Sequence, residues 1–529
     1  MCSRYGRAAA PYCAKPRCEV GRVVAASPKK RLTDEQRVPV ERVLSMAADG
    51  EGGSVKIAAA AGTGKTAVLR SMAAQLCLMG YRSSEILYLA YNRAIKDEAV
   101  AKFSRIATVK TLHGMAFQAL NVGSSSRKMG NIYPRHVKEL LKIGDSVCGG
   151  INGWDAARGV LETLKSFQLS SALDVDVRHI PYLVRNMHPR HTVYYEWLVT
   201  HTRQLFTLIS PDRDDTDVPI SFDTMLKFWQ VVGSPGLERY RVVLLDECQD
   251  ISGVTLASLD GLHGLLKVFV GDSSQQIYRY RSTIDAFKVV PGDIHSLSQS
   301  FRFGHDVAVL ANQILSEKTE APLFEISGNP ALTTRIGKVN RTRPYAHLFR
   351  TNFSLLEEAV RLHDAKAPFS IVGNLSDLSN RIESAWALFT SERKGVRHPL
   401  IAMFSNWEAL KECAEERVDA EITQAYKIIE ELGGRIDLLR QLLGEHGALL
   451  TTAHRAKGLE FDQVVLATDF DQRLMDDNDD MIDPDAWDDE HNLLYVAATR
   501  AVKVLEIESE YVDNLRLRAF GELAEDILA

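Results

Sequence analysis

The stretch A-A-A-G-T-G-K-T at residues 59–66 sets the architecture of the chain. A mostly apolar run at residues 55–58 precedes it, and a helix-forming run at residues 67–76 follows it. A strand, a glycine-rich loop and a helix in this order are what a phosphate-binding loop requires. The stretch therefore predicts a nucleotide-binding site.

Four residues of this loop have types that suit phosphate chemistry. Gly62 and Gly64 let the backbone turn its N–H groups towards phosphate oxygens. Lys65 would place a point charge on the β- and γ-phosphates, and the hydroxyl of Thr66 can ligate Mg²⁺. Ala59 stands where the first glycine usually is. The alternative, a glycine-rich turn without a ligand, does not account for the intact G-K-T ending between a strand and a helix.

The size and composition of the chain predict a multidomain globular protein. At 529 residues it is too long for one core, so about two to four domains are expected. Its charged content of 25% is ordinary for a soluble protein, and no apolar run approaches the roughly 20 residues that span a bilayer. The net charge of -6 excludes a wholesale basic coat but allows a local basic track for nucleic acid. Seven scattered cysteines indicate free thiols in a reducing compartment.

Two segments have a biased composition. Residues 1–30 are basic and lack apolar periodicity, which predicts a disordered basic tail; a metal site on its three cysteines and an organellar targeting peptide are the alternatives. Residues 469–490 are rich in aspartate and are predicted to form a solvated, flexible acidic loop. The alternative of a calcium loop lacks the central glycine and terminal glutamate at the required spacing.

Apolar runs that end in polar residues recur along the chain and indicate buried parallel strands whose C-terminal ends form a site. They occupy residues 86–91, 242–245, 268–270, 346–349, 371–372, 448–451, 464–467 and 504–507. Two mostly helical stretches, at residues 115–206 and 375–445, interrupt them. The pattern predicts an α/β fold with two parallel sheets, each carrying a helical insertion.

Asp246 and Glu247 follow the apolar run at residues 242–245, and two adjacent acids at a strand end suggest two different catalytic roles. Asp246 would hold Mg²⁺, and Glu247 would orient and deprotonate the attacking water. Gln275 follows the next apolar run and would sense the γ-phosphate. The alternative, solvated acids at a strand end, is weakened by the phosphate-binding loop that precedes them in the chain.

Nine ordered motifs extend this interpretation over nearly the whole chain after residue 31. They are L-T-D-E-Q (32–36), the phosphate-binding loop, L-A-Y-N-R-A (89–94), T-L-H-G (111–114), D-E-C-Q-D (246–250), G-D-S-S-Q-Q-I-Y-R-Y-R (271–281), S-Q-S-F-R-F-G (298–304), T-A-H-R-A-K-G-L-E-F (452–461) and N-L-L-Y-V-A-A-T-R-A (492–501). The chain resembles the superfamily 1 DNA helicases of the UvrD/Rep type and is most similar to the F-box DNA helicase branch. Only about thirty residues precede the first motif, fewer than a typical domain, so no F-box is expected ahead of the motor.

The resemblance implies two RecA-like parallel-sheet domains, each with a helical insertion. The expected boundaries are residues 31–114 and 207–293 for domain 1A, 115–206 for insertion 1B, 294–374 and 446–529 for domain 2A, and 375–445 for insertion 2B. Insertion 2B is much shorter than in the UvrD type, which argues against the autoinhibition and the grip on duplex that this subdomain provides there.

The resemblance also implies the residues that bind ATP and Mg²⁺. The loop residues Ala61, Gly62, Thr63, Gly64, Lys65 and Thr66 would bind the phosphates. Gln36 would read the adenine edge, Phe301 would stack on the ring, and Glu460 would contact the ribose. Arg302 and Arg500 would reach the γ-phosphate from the second sheet, where the fixed guanidinium fork matches phosphate oxygens.

A track for single-stranded DNA is expected across the top of both sheets. Tyr91 and Tyr280 would stack on bases, a contact worth roughly 1 to 3 kcal/mol each. The side chains implied to hold phosphates or neighbouring bases are Thr111, His113, Arg281 and His454. The alternative is that these are ordinary core side chains with a satisfied polar tip.

The function expected from these features is that of an ATP-dependent 3′–5′ translocase or helicase. It would act on single-stranded DNA and duplex junctions in recombination or repair, without a membrane, as a monomer or weak oligomer in the bacterial nucleoid, cytoplasm or nucleus. Repair or recombination proteins are possible partners. Two alternatives stay open: a nucleotide-gated DNA-binding subunit of a larger complex with little turnover, and an RNA-directed motor.

Overall fold

The computed structural model describes residues 32–528 apart from 92, 123–127, 188–190, 214–216, 263, 279–282, 373–375, 399, 416–419, 433–447 and 475–482. The basic tail predicted at residues 1–30 lies outside the described residues. So do the predicted DNA contacts Tyr280 and Arg281.

The strands are, in chain order, β1 (Gly53–Ala59), β2 (Ile86–Leu89), β3 (Thr108–Lys110), β4 (Ser146–Val147), β5 (Ile151–Asn152), β6 (Val242–Leu245), β7 (Ile251–Ser252), β8 (Leu266–Gly271), β9 (Thr283–Ile284), β10 (Ile294–Leu297), β11 (Arg335–Ile336), β12 (Tyr345–Phe349), β13 (Phe369–Ile371), β14 (Ala448–Thr452), β15 (Phe461–Leu466) and β16 (Ala501–Ile507). The α-helices are α1 (Asp34–Asp49), α2 (Lys65–Leu78), α3 (Arg93–Phe103), α4 (Leu112–Ala119), α5 (Pro134–Leu140), α6 (Gly153–Leu169), α7 (Tyr182–Met187), α8 (Thr192–Leu208), α9 (Phe222–Val231), α10 (Gly253–Asp260), α11 (Ala286–Val289), α12 (His305–Ser316), α13 (Asn352–Asp364), α14 (Ser376–Phe389), α15 (Trp407–Glu415), α16 (Ala420–Leu432), α17 (Ala453–Ala456), α18 (Pro484–Ala498) and α19 (Glu510–Leu528).

Two parallel six-stranded sheets organise these elements into two lobes. The first has the order β10-β1-β8-β6-β2-β3, and the second has the order β11-β16-β15-β12-β14-β13. Strands β2 and β6 are buried along their whole length, as a sheet covered by helices on both faces requires. The predicted α/β fold with two parallel sheets is confirmed.

Two strands of the first sheet, β3 and β10, were not expected from the sequence. β10 pairs in parallel with β1, from Lys56 opposite Ile294 to Ala59 opposite Leu297. The first sheet therefore extends past residue 293, where domain 1A was expected to end. The prediction placed this strand on the wrong side of the boundary because only two of its four residues are strongly apolar and its burial is partial. The other boundaries stay predictions.

Helices fill the long connections within each sheet. Between β3 and β6, the helices α5, α6 and α8 contribute to an apolar core that includes Val160, Leu164, Tyr194 and Leu198. A short antiparallel pair, β4 and β5, lies in the same connection and was not predicted. Between β13 and β14, the helices α14 to α16 pack around Ile382, Leu410 and Ile422 among others. Both connections are therefore largely helical in the part that the structure describes.

The prediction of a solvated acidic loop is wrong for the two ends of the segment at residues 469–490. Asp469 is buried and accepts the backbone N–H groups of Arg350 and Thr351 at 2.9 Å each. Glu490 is buried on α18 and accepts two N–H bonds from the Arg350 guanidinium, both at 2.6 Å. These acids satisfy the turn after β12, a role that the run of aspartates hides. Residues 475–482 lie outside the described part.

Two further observations concern the described residues as a whole. None of their helices is both long enough and apolar enough to cross a membrane. The four cysteines among them are free thiols: Cys77, Cys148, Cys248 and Cys413.

Candidate functional site

The phosphate-binding loop connects β1 to α2 and is enclosed by two other parts of the chain. Gly62 and Gly64 have φ angles of 79° and 84°, in the left-handed region that favours glycine. A Cβ on Gly62 would lie 2.6 Å from Ser300 Oγ and from Arg302 Cβ, and one on Gly64 would lie 3.0 Å from Gln36 Nε2. Both positions therefore require glycine for space as well as for backbone conformation.

Lys65 and Thr66 occupy the first turn of α2, where backbone N–H groups are free of intrahelical partners. Gly64, the N-cap residue, has no side chain to bond these groups. Lys65 Nζ donates to Ala59 O at 3.3 Å, so its positive charge is held over the loop. A helix N-terminus with a lysine above it is suited to bind an anion such as phosphate.

The acidic pair follows β6, two strands away from the loop. Asp246 accepts the Tyr88 hydroxyl at 2.8 Å and the backbone N–H of Glu247 at 3.0 Å. Burial and the neighbouring charge of Glu247 raise the pKa of Asp246 to about 6. Burial alone would also raise the pKa of Glu247, but the positive charges of Lys65 and Lys457 outweigh it and lower this pKa to about 2. The electrostatic surroundings therefore favour the ionised form more strongly at Glu247 than at Asp246.

The donor set around this pair fits a magnesium ion. Asp246 is a buried carboxylate beside a second negative charge, and a divalent cation would relieve that unfavourable arrangement. Thr66 supplies a hydroxyl oxygen at the start of α2. Among the described residues no group of three or more His, Cys, Asp or Glu side chains could hold a metal. Mg²⁺ keeps water ligands and binds through one or two protein oxygens together with phosphates, so Thr66 and Asp246 would be a sufficient set of protein ligands.

A glutamine that the sequence did not single out holds Glu247. Gln249 is fully buried, and its Nε2 donates to Glu247 Oε2 at 2.6 Å. Its Oε1 accepts the backbone N–H of Asp272 at 3.1 Å. Glu247 itself has a φ of 56°, a strained value for a residue with a side chain. Its place in the D-E-C-Q-D motif was the available signal for Gln249.

Gln275, the predicted γ-phosphate sensor, is engaged by protein groups in this structure. Its Nε2 donates to Asp272 Oδ2 at 2.7 Å, and its carbonyl accepts Lys457 Nζ at 2.6 Å. Lys457, from the second lobe, also forms an ion pair with buried Asp250. Burial raises the pKa of Asp250 to about 6, although the charge of Lys457 opposes the shift. The role of Gln275 as a sensor stays a prediction.

The two predicted arginines meet at Thr499. Arg302 Nη1 donates to Thr499 O at 3.2 Å, and Arg500 Nη2 donates to Thr499 Oγ1 at 3.1 Å. Arg500 is almost wholly buried, and burial together with the charge of Arg302 lowers its pKa to about 9. Arg302 Nε also donates to Glu460 Oε1 at 2.8 Å. The structure thus brings Arg302, Arg500 and Glu460 together, whereas their contacts with a nucleotide stay predictions.

Gln36 and Phe301 donate hydrogen bonds to two adjacent backbone carbonyls of the loop, those of Thr63 and Gly62. Gln36 Nε2 donates to Thr63 O at 2.9 Å, and Gln36 Oε1 accepts the Thr33 N–H in the capping box of α1. This amide therefore supports the loop itself, and its predicted reading of adenine is not tested by these contacts. Phe301 N donates to Gly62 O at 2.9 Å, and its ring is 41% exposed, so its face is open to a planar ring.

Tyr495 is a second residue that the sequence did not single out. Its hydroxyl, on α18, accepts the backbone N–H of Ala61 at 2.9 Å and donates to Asp272 Oδ2 at 2.9 Å. The side chain is fully buried, and burial raises its pKa well above the ordinary value. The N-L-L-Y-V-A-A-T-R-A motif contained it, but the motif alone does not say that the tyrosine joins the two lobes.

The predicted DNA-binding residues lie at the C-terminal ends of other strands. Tyr91 follows β2, Thr111 and His113 follow β3, and His454 follows β14. In the first sheet β2 and β3 form one side, whereas the loop and Asp246 follow strands of the other side and centre. Along the C-terminal edge of that sheet, the candidate DNA contacts follow the two strands at one end, next to β6 and Asp246, whereas the loop follows β1 near the other end.

These residues differ in their surroundings. Tyr91 is 40% exposed and offers a ring face. Thr111 caps α4, accepting the Gly114 N–H at 3.1 Å, so it has a structural role independent of DNA. His113 lies edge-on to Phe222, with ring centroids 6.0 Å apart. The carbonyl of His454 accepts the Tyr278 hydroxyl at 3.1 Å. No contact with DNA follows from these bonds, and the roles stay predictions.

Comparison with known proteins adds an independent line. Residues 335–510 match the UvrD-like helicase C-terminal domain, and residues 46–281 match an AAA domain. The chain is 29% identical over 530 residues to F-box DNA helicase 1 of Gallus gallus, an alignment that covers 92% of this chain and 50% of the relative. It is 29% identical over 522 residues to F-box DNA helicase protein 1 of Schizosaccharomyces pombe, with coverage of 90% and 57%. The chain thus spans about half the length of the curated relatives it matches.

Proposed function

We propose that this chain, which matches a UvrD-like helicase C-terminal domain and an AAA domain and is similar to F-box DNA helicases, is an ATP-driven motor that moves 3′ to 5′ along single-stranded DNA. The motion would unwind duplex or remove bound protein during recombination or repair. Its substrates are single-stranded DNA and junctions between single strand and duplex. It works as a monomer or weak oligomer, with repair or recombination proteins as partners, in a nucleus or a bacterial nucleoid.

One observation carries this proposal: groups from both lobes converge on the phosphate-binding loop. Burial raises the pKa of Glu247, but the positive charges of Lys65, Lys457 and Arg500 help to lower it, and these cations come from three separate segments. Tyr495 of the second lobe bonds directly to the loop at Ala61. A protein that only binds nucleotide has no need of an ionised carboxylate beside that loop. This argument favours hydrolysis over a passive switch.

In the proposed reaction each group has a distinct task. The loop and Lys65 bind the phosphates of ATP, while Thr66 and Asp246 hold Mg²⁺, which would neutralise charge on the β- and γ-phosphates when bound. Glu247 accepts the proton of the attacking water. Arg302 and Arg500 stabilise charge that develops on the γ-phosphate, a contribution of roughly 10³ to 10⁵ in rate for such arginines.

Hydrolysis is converted into movement because ATP contacts both lobes. The arginines and Phe301 lie beyond the first sheet, so loss of the γ-phosphate removes a link that holds the lobes together. Tyr91, Tyr280 and Arg281, with Thr111, His113 and His454, form the proposed DNA track. Opening and closing of the cleft would shift one part of this track against the other.

Steady-state ATP hydrolysis, measured with and without single-stranded DNA at two salt concentrations, tests the proposal. Turnover that DNA stimulates, that weakens with salt and that disappears in Glu247→Gln supports a nucleic-acid motor. Matched RNA oligonucleotides test the RNA-directed alternative. Strand displacement on duplexes with a 3′ or a 5′ tail then gives the polarity. Tight binding of ATP and DNA without turnover would favour the nucleotide-gated subunit instead.

A further inference from the structure

Gln249 is held at every polar group that its side chain offers. Its Nε2 donates to Glu247 Oε2 at 2.6 Å, and its Oε1 accepts Asp272 N–H at 3.1 Å. Its backbone carbonyl accepts Gln276 Nε2 at 2.8 Å. The residue is fully buried, so water does not compete for these bonds. Gln249 is therefore a rigid link between Glu247 and the segment at residues 272–276.

That segment cannot move without moving Gln249. A Cβ on Gly271, just before the segment, would lie 2.3 Å from Gln249 Oε1, so the absence of a side chain at Gly271 is what allows the Gln249 amide to approach this closely. Asp272 in turn accepts Ser274 N–H at its Oδ1 and Gln275 Nε2 at its Oδ2. The turn after β8 is thus one hydrogen-bonded unit that includes Gln249.

The second lobe contacts the same unit through hydrogen bonds from α18. Tyr495 Oη donates to Asp272 Oδ2 at 2.9 Å, and Asn492 Nδ2 donates to Gln276 O at 3.0 Å. The two residues are three positions apart on the helix, so they lie on one face. The contact therefore reaches both ends of the segment that holds Gln249.

We propose that Gln249 is the positioning residue of Glu247 and that the Tyr495–Asp272 bond makes this positioning depend on the second lobe. This inference rests on the proposed function. The Gln249 amide fixes Oε2 of Glu247 and leaves Oε1 to accept the proton of the attacking water. Closure of the cleft brings Tyr495 onto Asp272 and completes the arrangement, whereas opening releases it. Hydrolysis is thereby restricted to the closed state.

Gln249→Met tests the first part because methionine has a similar length and no N–H donor. We expect kcat to fall about 100-fold, as a misplaced catalytic group predicts, while the Kd of a fluorescent ATP analogue stays within about threefold of the parent value. If Gln249 had only a structural role, the variant would show a lower melting temperature, and kcat would not fall selectively while the Kd of the ATP analogue stayed the same. Unchanged kcat would overturn the assignment.

Tyr495→Phe tests the second part and decides the matter if Gln249→Met does not fold. We expect kcat to fall about tenfold, because Asp272 loses its hydrogen bond to the second lobe. Tyr511→Phe is the matched control: its hydroxyl bonds His491 of the same helix, away from the site, at 2.9 Å. A kcat of Tyr495→Phe equal to that of this control would overturn the coupling.

The double variant Gln249→Met/Tyr495→Phe separates a relay from two independent effects. If both residues act through one arrangement of Glu247, the double variant loses little more than Gln249→Met alone. Losses that multiply would overturn the relay. If the proposed function itself is wrong, the parent protein will hydrolyse ATP no faster than Glu247→Gln. That result differs from a failure of the relay, in which the parent protein is active.

Discussion

Arg302 and Glu460 form an ion pair, with Nε and Oε1 2.8 Å apart, although the sequence assigns both side chains to a nucleotide. The arginine is largely buried, whereas the glutamate is half exposed. Arg302 also donates to Thr499 O. If both residues contact ATP, nucleotide binding must exchange this pair for contacts with phosphate and ribose. The pair then holds the Arg302 side chain near Gly62, where it could contact the γ-phosphate after ATP binds.

Arg302→Lys is expected to lower kcat about 100-fold, because lysine keeps the charge but loses the planar fork that matches phosphate oxygens. ATP turnover in the presence of saturating single-stranded DNA measures the effect. Arg335→Lys, at a residue whose Nη2 donates to Lys338 O on the surface, is the control. Equal turnover in the two variants would show that Arg302 does not act on the γ-phosphate.

Lys65→Ala is expected to abolish ATP hydrolysis, because the charge above the N-terminus of α2 is lost. The fold should persist, since Lys65 is half-buried and makes only one long bond to Ala59 O. Turnover and melting temperature together measure the effect. Lys503→Ala, which breaks an exposed ion pair with Asp462, serves as the control. DNA-stimulated turnover in Lys65→Ala would count against the site.

Phe301→Ala is expected to raise the Kd of ATP about tenfold, the equivalent of roughly 1.4 kcal/mol, by removing a stacking surface. The half-exposed ring makes little contribution to the core, so the melting temperature should change little. Fluorescence titration with an ATP analogue measures the affinity. Phe222→Ala removes another exposed phenylalanine far from the loop in sequence and is the comparison. A Kd unaffected by Phe301→Ala would exclude stacking.

Tyr91→Ala is expected to raise the single-stranded DNA concentration for half-maximal stimulation about tenfold, since base stacking on an aromatic ring contributes roughly 1 to 3 kcal/mol. The control is Tyr182→Ala, a 69% exposed tyrosine on α7. Titration of ATPase activity with an oligonucleotide gives both values. If the two variants respond alike, the track does not pass over Tyr91.

Glu490→Gln is expected to destabilise the second lobe by about 3 kcal/mol, because it leaves the largely buried Arg350 guanidinium without its anionic partner. Chemical denaturation, monitored by fluorescence, measures the loss. Arg361→Gln removes a largely exposed arginine from its pair with the mostly buried Glu358, and it should cost less because solvent screens the arginine. A small effect at Glu490 would show that the bidentate bond contributes little.

Stability should also fall below about pH 6.5, the ordinary pKa of histidine. Burial lowers the pKa of His491, which bonds Trp487 O and the Tyr511 hydroxyl. The unfolded chain therefore binds a proton that the folded chain excludes, and stability present above pH 6.5 is lost as the pH falls. His491→Gln should flatten the decrease in melting temperature between pH 7 and pH 5. An unchanged slope would contradict this role.

Much of the fold followed from local patterns. The apolar runs at residues 242–245 and 448–451 became β6 and β14, because a strand buried on both faces must be apolar throughout. β10 escaped prediction because its polar, half-exposed residues carry no such pattern. The aspartates at residues 469–490 led to the opposite error, because buried acids at the two ends of this segment were predicted to be exposed. Their charge indicated solvent, yet Asp469 satisfies backbone N–H groups inside the second lobe.

The candidate site divides in the same way. The phosphate-binding loop and the acidic pair were predicted from residue type and from neighbours along the chain, whereas the two arginines were implied by the family resemblance. Gln249 and Tyr495 were not singled out, although both lay inside quoted motifs. The hydrogen-bond partner of a buried amide or hydroxyl depends on which segments the tertiary packing places within about 3 Å of it.

The sequence by itself determined two parallel sheets, the loop at residues 59–66 and the acids that follow β6, because glycine, lysine and apolar runs act through local conformation. Only the tertiary structure decided how these parts are joined. Ala61 and Tyr495 are 434 positions apart, yet one hydrogen bond connects them. Burial forces such polar groups to find partners, and the partner is chosen by the packing of the two lobes.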